Sequence, residues 1–151
     1  MICSAIEIHN KFFRHKFKIL LLDKMDEVEE VELVFDDNEM VALYPATYVL
    51  ELEDDKFYVG NTNNLSTRLS QHFTQNGGSH WTSKYKPISV HQIVYPSCKH
   101  NELLYTLAYM DKYHTGNVRG SYWTKERILS DPIYNNLYKE EVKQAKKLKI
   151  F

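Results

Sequence analysis

Two β-rich runs, residues 47–52 and 56–59, stand on either side of Glu53-Asp54-Asp55, and this is the feature that most constrains the chain. Valine, tyrosine, phenylalanine and threonine suit a pleated, half-buried surface, whereas three acids in a row suit a turn. The arrangement predicts a β-hairpin. Gly60 is expected to end its second strand, and the polar run 61–64 offers side chains that can cap a helix. That helix is expected over residues 65–75, because Leu65, Leu69 and Phe73 recur at the four-residue spacing of a buried stripe. Gly77-Gly78-Ser79 should break it and lead into a loop through Pro87. A third strand is expected at 88–95, then a helix capped by Asn101 and running to about His114, and a last helix opened by Asp131-Pro132 and ending in the lysine-rich stretch 143–149.

Upstream, residues 31–35 and 40–44 flank Asp36-Asp37-Asn38-Glu39 and read as another hairpin, while 7–22 fits a strand or a helix. The order predicts an α+β fold, a small three-stranded sheet flanked by helices. Three segments are expected: an acidic N-terminal extension over 1–44, a core over 45–122, and a basic helical segment over 123–151 packed on that core.

Charge also divides the chain. Residues 25–55 hold twelve acids and no Lys or Arg, whereas 56–151 hold fourteen basic residues against six acids, an excess of +8 concealed by an overall net charge of −1. The near-neutral total excludes a general nucleic-acid coat, but the basic body suits a polyanion partner whose phosphates release counterions on contact. A chain of 151 residues with 43% hydrophobic residues can bury a core without disulfides, so a disulfide scaffold and a disordered tail are both excluded. The apolar stretches, such as residues 19–22, are far shorter than the ~20 residues of a membrane span, and the amino terminus lacks a signal-peptide pattern. The expectation is a soluble, intracellular protein with no membrane partner. Cys3 and Cys98 have no paired metal-ligand spacing, and no GxxxxGK[ST], GxGxxG or GxSxG motif supports a nucleotide or serine hydrolase.

Several residues have the chemistry of a site, and each also has a plain structural reading. Tyr48 and Tyr58 lie ten residues apart on the two hairpin strands and are expected to face each other; either alone reads as packing. Arg68 and His72 are one helical turn apart beside the Leu65 stripe, at the edge of the core, or else are an exposed cation and a satisfied imidazole. Glu102 suits the first turn of its helix through the helix dipole. On the helical wheel, however, Glu102, Tyr105, Thr106, Tyr109 and Tyr113 share the side opposite a Leu103, Leu104, Leu107, Ala108 and Met110 stripe. The loop 77–82, with Ser79, His80 and Trp81, has the composition to bring amides to phosphates and a ring onto a base, or is a flexible connection. Residues 116–120 read as a tight turn or a backbone clamp.

These pieces taken together resemble the GIY-YIG endonucleases. The resemblance rests on Ala46-Thr47-Tyr48, then Tyr58-Val59-Gly60 ten residues on, Arg68 eight after the glycine, His72 four after that, and Glu102 in a later helix, and it spans about 45–122. Ala46 and Thr47 stand where the family has Gly and Ile, and Asn61 stands where many members carry Lys or Ser. The run Asn117-Val118-Arg119-Gly120-Ser121-Tyr122 is similar to the ending of small single-domain members, including some of large DNA viruses.

The resemblance implies hydrolysis of DNA phosphodiesters with one divalent metal, Mg²⁺ or Mn²⁺, and no small-molecule cofactor. Carried over by position, Glu102 would hold the metal, Arg68 would clamp the phosphate, Tyr48 and Tyr58 would flank the attacking water, and Gly60 would let the backbone pass close to the site. His72, with an unperturbed pKa near 6.5, would assist proton transfer or positioning. DNA contacts are expected from Gly60, Ser79, Trp81, Lys84, Asn117, Arg119, Lys143, Lys146 and Lys147. The competing readings are a catalytically silent nucleic-acid-binding module of the same fold, and a protein-interaction domain acting through the acidic hairpin.

Overall fold

The computed structural model describes residues 45–148, 150 and 151, together with the backbone of three short N-terminal strands. Those strands are β1 (Glu7–Ile8), β2 (Lys16–Leu22) and β3 (Val28–Val34). The ambiguous 7–22 stretch thus contributes strands. β3 pairs antiparallel with β2, Lys16 opposite Val34 and Leu22 opposite Val28. Residues 31–34 therefore find their partner upstream, where seven paired residues satisfy more backbone groups than a five-residue arm would. The expected second arm, 40–44, lies outside the described residues, as do Cys3 and Lys149.

The main sheet has the order β1-β6-β4-β5-β7. Its middle is the expected three-stranded antiparallel unit. β4 (Ala46–Leu52) turns through Glu53–Asp55 into β5 (Lys56–Thr62), and β6 (Pro87–Val94) lies on the other side of β4. The turn needs left-handed backbone at Asp54 (φ 58°) and Asp55 (φ 54°), which Asp tolerates better than most residues. The sheet extends beyond expectation at both edges. β7 (Val118–Gly120) pairs parallel to β5, with Val118 opposite Phe57 and Gly120 opposite Val59, and β1 pairs with β6.

Alternation along β4 sends its side chains into two cores. Tyr48, Leu50 and Leu52 join Tyr58, Leu65, Trp81, Val90 and Ile93 on one face; Val49 joins Phe57, Val59, Val94, Tyr105, Tyr109 and Met110 on the other. The first face is covered by α1 (Leu65–Phe73) and α2 (His80–Lys84), the second by α3 (Lys99–Tyr113). α4 (Lys139–Ala145) packs on the outer side of α3, where Val142 and Ala145 meet Leu103, Leu107 and Ala108. Among the described residues, no helix is long and apolar enough to cross a membrane.

Four local expectations are corrected. α1 stops at Phe73, because Gln75 (φ 60°) and Gly77 (φ 91°) turn the chain left-handed. The loop after it contains a helix, α2, nucleated by a reciprocal capping box between Ser79 and Thr82. α3 is capped at Cys98, whose extended backbone marks the boundary, so Asn101 lies inside the first turn. Asp131 caps only the short turn Pro132–Tyr134 by accepting from the Ile133 amide, and the last helix begins at Lys139.

Candidate active site

The hairpin register determines what Tyr48 and Tyr58 can do. Tyr48 is opposite Gly60, and Leu50 is opposite Tyr58, so the two tyrosines share a face as diagonal neighbours instead of facing each other. Their ring centroids are 6.3 Å apart. Gly60 does not end its strand. A Cβ there would overlap the Tyr48 ring and hydroxyl, so glycine lets the phenol of one strand lie directly over the backbone of the next.

Asn64 starts α1 by accepting from the Thr67 amide, and this sets the two turns that carry Arg68 and His72. His72 is not at the core edge; it is fully buried, with its ring 5.7 Å from that of Tyr48 and 5.0 Å from that of Tyr58. Its Nε2 lies 2.9 Å from the Tyr48 hydroxyl and its Nδ1 2.9 Å from Thr82 Oγ1. Burial, helped by the nearby Arg68 charge, lowers its pKa to about 4. The imidazole is therefore neutral near pH 7, which replaces the expectation of a group titrating near 6.5.

Arg68 is half-buried. One guanidinium nitrogen donates to Gln71 Oε1 (2.9 Å) and the Gly77 carbonyl (3.0 Å), and the charge of the group acts on both phenols. Burial opposes its charge, but the phenols outweigh burial and hold its pKa above the usual value. Burial raises the pKa of Tyr48 strongly and that of Tyr58 as well, with Arg68 opposing the rise in both. Both are neutral phenols at rest.

Glu102 reaches this group from α3. Its half-buried carboxylate accepts from the Ser121 amide at 3.0 Å, and its charge is felt by both phenols. Desolvation raises its pKa, with the Ser121 amide and Lys99 opposing. The amide is delivered by a two-residue turn in which Gly120 and Trp123 exchange backbone hydrogen bonds and Ser121 sits at φ 48°. Because the donor is a backbone group, no side-chain pattern could have announced it. Thr82 does carry a sequence signal, the Ser79-x-x-Thr82 cap spacing, inside a loop whose composition points instead to phosphate contact.

The two sides of the α3 wheel are separate in the structure, and both are core. Tyr105, Thr106 and Tyr109 are as buried as Leu103 and Leu107, because α3 lies between the sheet and α4 and both its sides are core. Several expected DNA contacts are engaged inside the protein. Trp81 is 3% exposed, donates to the Phe57 carbonyl (3.2 Å) and cannot stack on a base. Arg119, also 3% exposed, stacks on Trp81 and donates to the carbonyls of Thr115, Val118, Lys125 and Glu126. Asn117 accepts from Lys56 and donates to the Tyr113 carbonyl, and the Ser79 hydroxyl caps α2. Lys84, Lys143, Lys146 and Lys147 are exposed, with Lys84 paired to Glu126, Lys143 to Glu140 and Lys146 to Asp111.

What converges is therefore Tyr48, Tyr58, Arg68, His72 and Glu102. Two neutral phenols, a fixed cation, a neutral imidazole and one desolvated carboxylate can receive a charged oxyanion and move a proton. Searches of the curated proteins and of the solved structures gave no match. A family model does match, over residues 44–113, which run from the start of β4 to the end of α3 and include all five residues. Over these residues the chain is thus similar to the GIY-YIG catalytic domain.

Proposed function

We propose that the protein hydrolyses DNA phosphodiester bonds with the help of one divalent metal ion. The observation that carries this reading is the convergence of Arg68, Glu102 and the two phenols on one corner of the sheet. Among the described residues, no group of three or more His, Cys, Asp or Glu could cage an ion by protein ligands alone. The donor set fits a hard ion that keeps several waters and shares its shell with substrate phosphate, so Mg²⁺ or Mn²⁺ suits Glu102 better than a thiolate-seeking metal. Such an ion, held by Glu102, would supply charge stabilisation at the phosphate and the leaving oxygen.

The chain's own residues do the rest. Arg68 presents a planar fork to the non-bridging phosphate oxygens and is strongest where charge builds in the transition state. Tyr48 and Tyr58 position the attacking water through their hydroxyls. A buried phenol is a poor base at rest, so Tyr48 needs a second acceptor for its own proton, and His72 Nε2 stands at hydrogen-bond distance. Gly60 keeps the backbone low enough for Tyr48 to occupy this place. The exposed lysines of the C-terminal segment provide sequence-independent phosphate contacts.

The test is nicking of supercoiled plasmid by wild type and Glu102→Gln with Mg²⁺, with Mn²⁺ and with EDTA. Cleavage by wild type that needs the metal and is lost in Glu102→Gln, with DNA binding and melting temperature retained, supports the reading. Wild type that binds DNA and never cuts would make the protein a silent binding module; cutting by Glu102→Gln at the wild-type rate would remove Glu102 from the metal site.

A further inference from the structure

The loop between α1 and α2 has no place in the reading above, yet it holds the hydrogen bond on the far side of His72. Thr82 is 1% exposed, and its hydroxyl accepts from the Ser79 amide (3.0 Å) and donates to the Ser79 carbonyl (3.1 Å) within the cap of α2. A hydroxyl has one proton and two lone pairs; with the proton on the Ser79 carbonyl and one lone pair on the Ser79 amide, the second lone pair lies between His72 Nδ1 at 2.9 Å and the Ser79 hydroxyl at 3.2 Å, and the shorter contact is to the imidazole. On the other side of the ring, the Tyr48 hydroxyl lies 2.9 Å from His72 Nε2, and the positive charge of Arg68 draws the lone pairs of the phenol oxygen, which directs the phenol proton to the imidazole. Both ends then agree on one tautomer. Gly78 belongs to the same device: a Cβ there would lie 2.9 Å from Thr82 Oγ1 and 3.3 Å from His72 Nδ1, so only glycine leaves the bond undisturbed.

We propose that Gly78, Ser79 and Thr82 form a positioning element that holds His72 in the Nδ1–H tautomer and so keeps Nε2 open as acceptor for the Tyr48 hydroxyl proton. The ring nitrogen that carries the proton is set by the partner of the other nitrogen. The proton of Tyr48 then points away from the place where water would be activated, and its oxygen lone pair points toward it. The capping box of α2 thus has a second use, as the outer support of a catalytic pair. The catalytic consequence rests on the DNA-hydrolysis reading; the tautomer does not.

Long-range ¹H–¹⁵N NMR of the histidine rings reads the tautomer directly on the full chain. Wild type should show His72 protonated at Nδ1, Thr82→Ser should retain that signature, and Thr82→Val should lose it. In single-turnover DNA cleavage, Thr82→Val should fall by about tenfold or more in rate with unchanged apparent affinity for DNA, and Thr82→Ser should stay within about threefold. Gly78→Ala, which retains every hydrogen-bonding group, serves if Thr82→Val fails to fold: its added methyl should shift the His72 ring signals and slow cleavage. An Nε2–H tautomer in wild type, or a Thr82→Val or Gly78→Ala protein with unchanged His72 signals, overturns the proposal. If wild type shows the Nδ1–H tautomer but does not cut DNA, the positioning element stands and the nuclease reading falls.

Discussion

Two arginines with similar neighbours have opposite fates. Arg68 lies against the phenols of Tyr48 and Tyr58, and Arg119 lies on the indole of Trp81. Arg119 is almost wholly covered and donates four hydrogen bonds to backbone carbonyls, so most of its fork is used and its charge is solvated by the protein. Arg68 is only half-buried and is held by one amide side chain and one carbonyl, with its charge directed at two hydroxyls. An arginine on an aromatic surface is therefore not by itself a phosphate site. What separates the two is how much of the donor set the fold has already consumed.

Mutation separates them most sharply. Arg68→Ala should slow single-turnover cleavage by at least about 100-fold, the ~2.7 kcal/mol scale of one donor lost from a developing oxyanion, with little change in melting temperature. Arg68→Lys should fail nearly as badly, because an ammonium cannot reproduce a planar fork. Arg119→Ala should do the reverse and lower stability by about 3 kcal/mol, since one buried and three half-buried carbonyls lose their charged donor at ~1–3 kcal/mol each. Its cleavage rate per folded molecule should hold at permissive temperature. Urea unfolding beside single-turnover kinetics for the three variants decides it. Near-wild-type stability in Arg119→Ala, or near-wild-type cleavage in Arg68→Lys, would erase the contrast.

pH gives a second contrast. The folded-state pKa of His72 is lowered to about 4, so the unfolded chain binds a proton first as the pH falls. The stability that His72 confers in its neutral form is fully present above about pH 6.5 and is lost progressively toward pH 4, by up to about 3 kcal/mol. Urea midpoints between pH 7.5 and 4 should fall less steeply in His72→Gln than in wild type. For the same reason, no acidic limb near pH 6.5 should arise from His72 in the pH–rate profile. A limb there that vanished in His72→Gln would show an imidazole far easier to protonate than its burial allows.

The smallest effect belongs to the surface. Lys139, Lys143, Lys146, Lys147 and Lys149 recur within eleven residues, but Lys143 and Lys146 have carboxylate partners and must exchange them for phosphates. Replacing all five with Ala should reduce the slope of log K against log salt by about 0.9 for each phosphate that the protein no longer neutralises, with the single-turnover rate at saturating protein unchanged. An unchanged slope would leave the cluster with solubility alone.

Sequence alone determined the parts of this protein that are encoded over a few residues. Glu53-Asp54-Asp55 set the hairpin, Asn64 set the start of α1, and Leu65, Leu69 and Phe73 chose its buried side. The order and spacing of Tyr48, Tyr58, Arg68, His72 and Glu102 identified the domain, because strand and helix geometry convert such spacing into proximity. Tertiary structure decided the rest. It offset Tyr48 from Tyr58 by one diagonal, since register depends on which residue opposes Gly60. It buried both sides of α3, since the second side is covered by a helix some thirty residues downstream, and no helical wheel contains that neighbour. It turned Trp81 and Arg119 inward and engaged Asn117, because their partners are groups distant in the sequence or on the backbone. The same distance in sequence hid the Ser121 amide on Glu102: a backbone donor is common to all residues but proline, and only the folded chain selects which one meets the carboxylate.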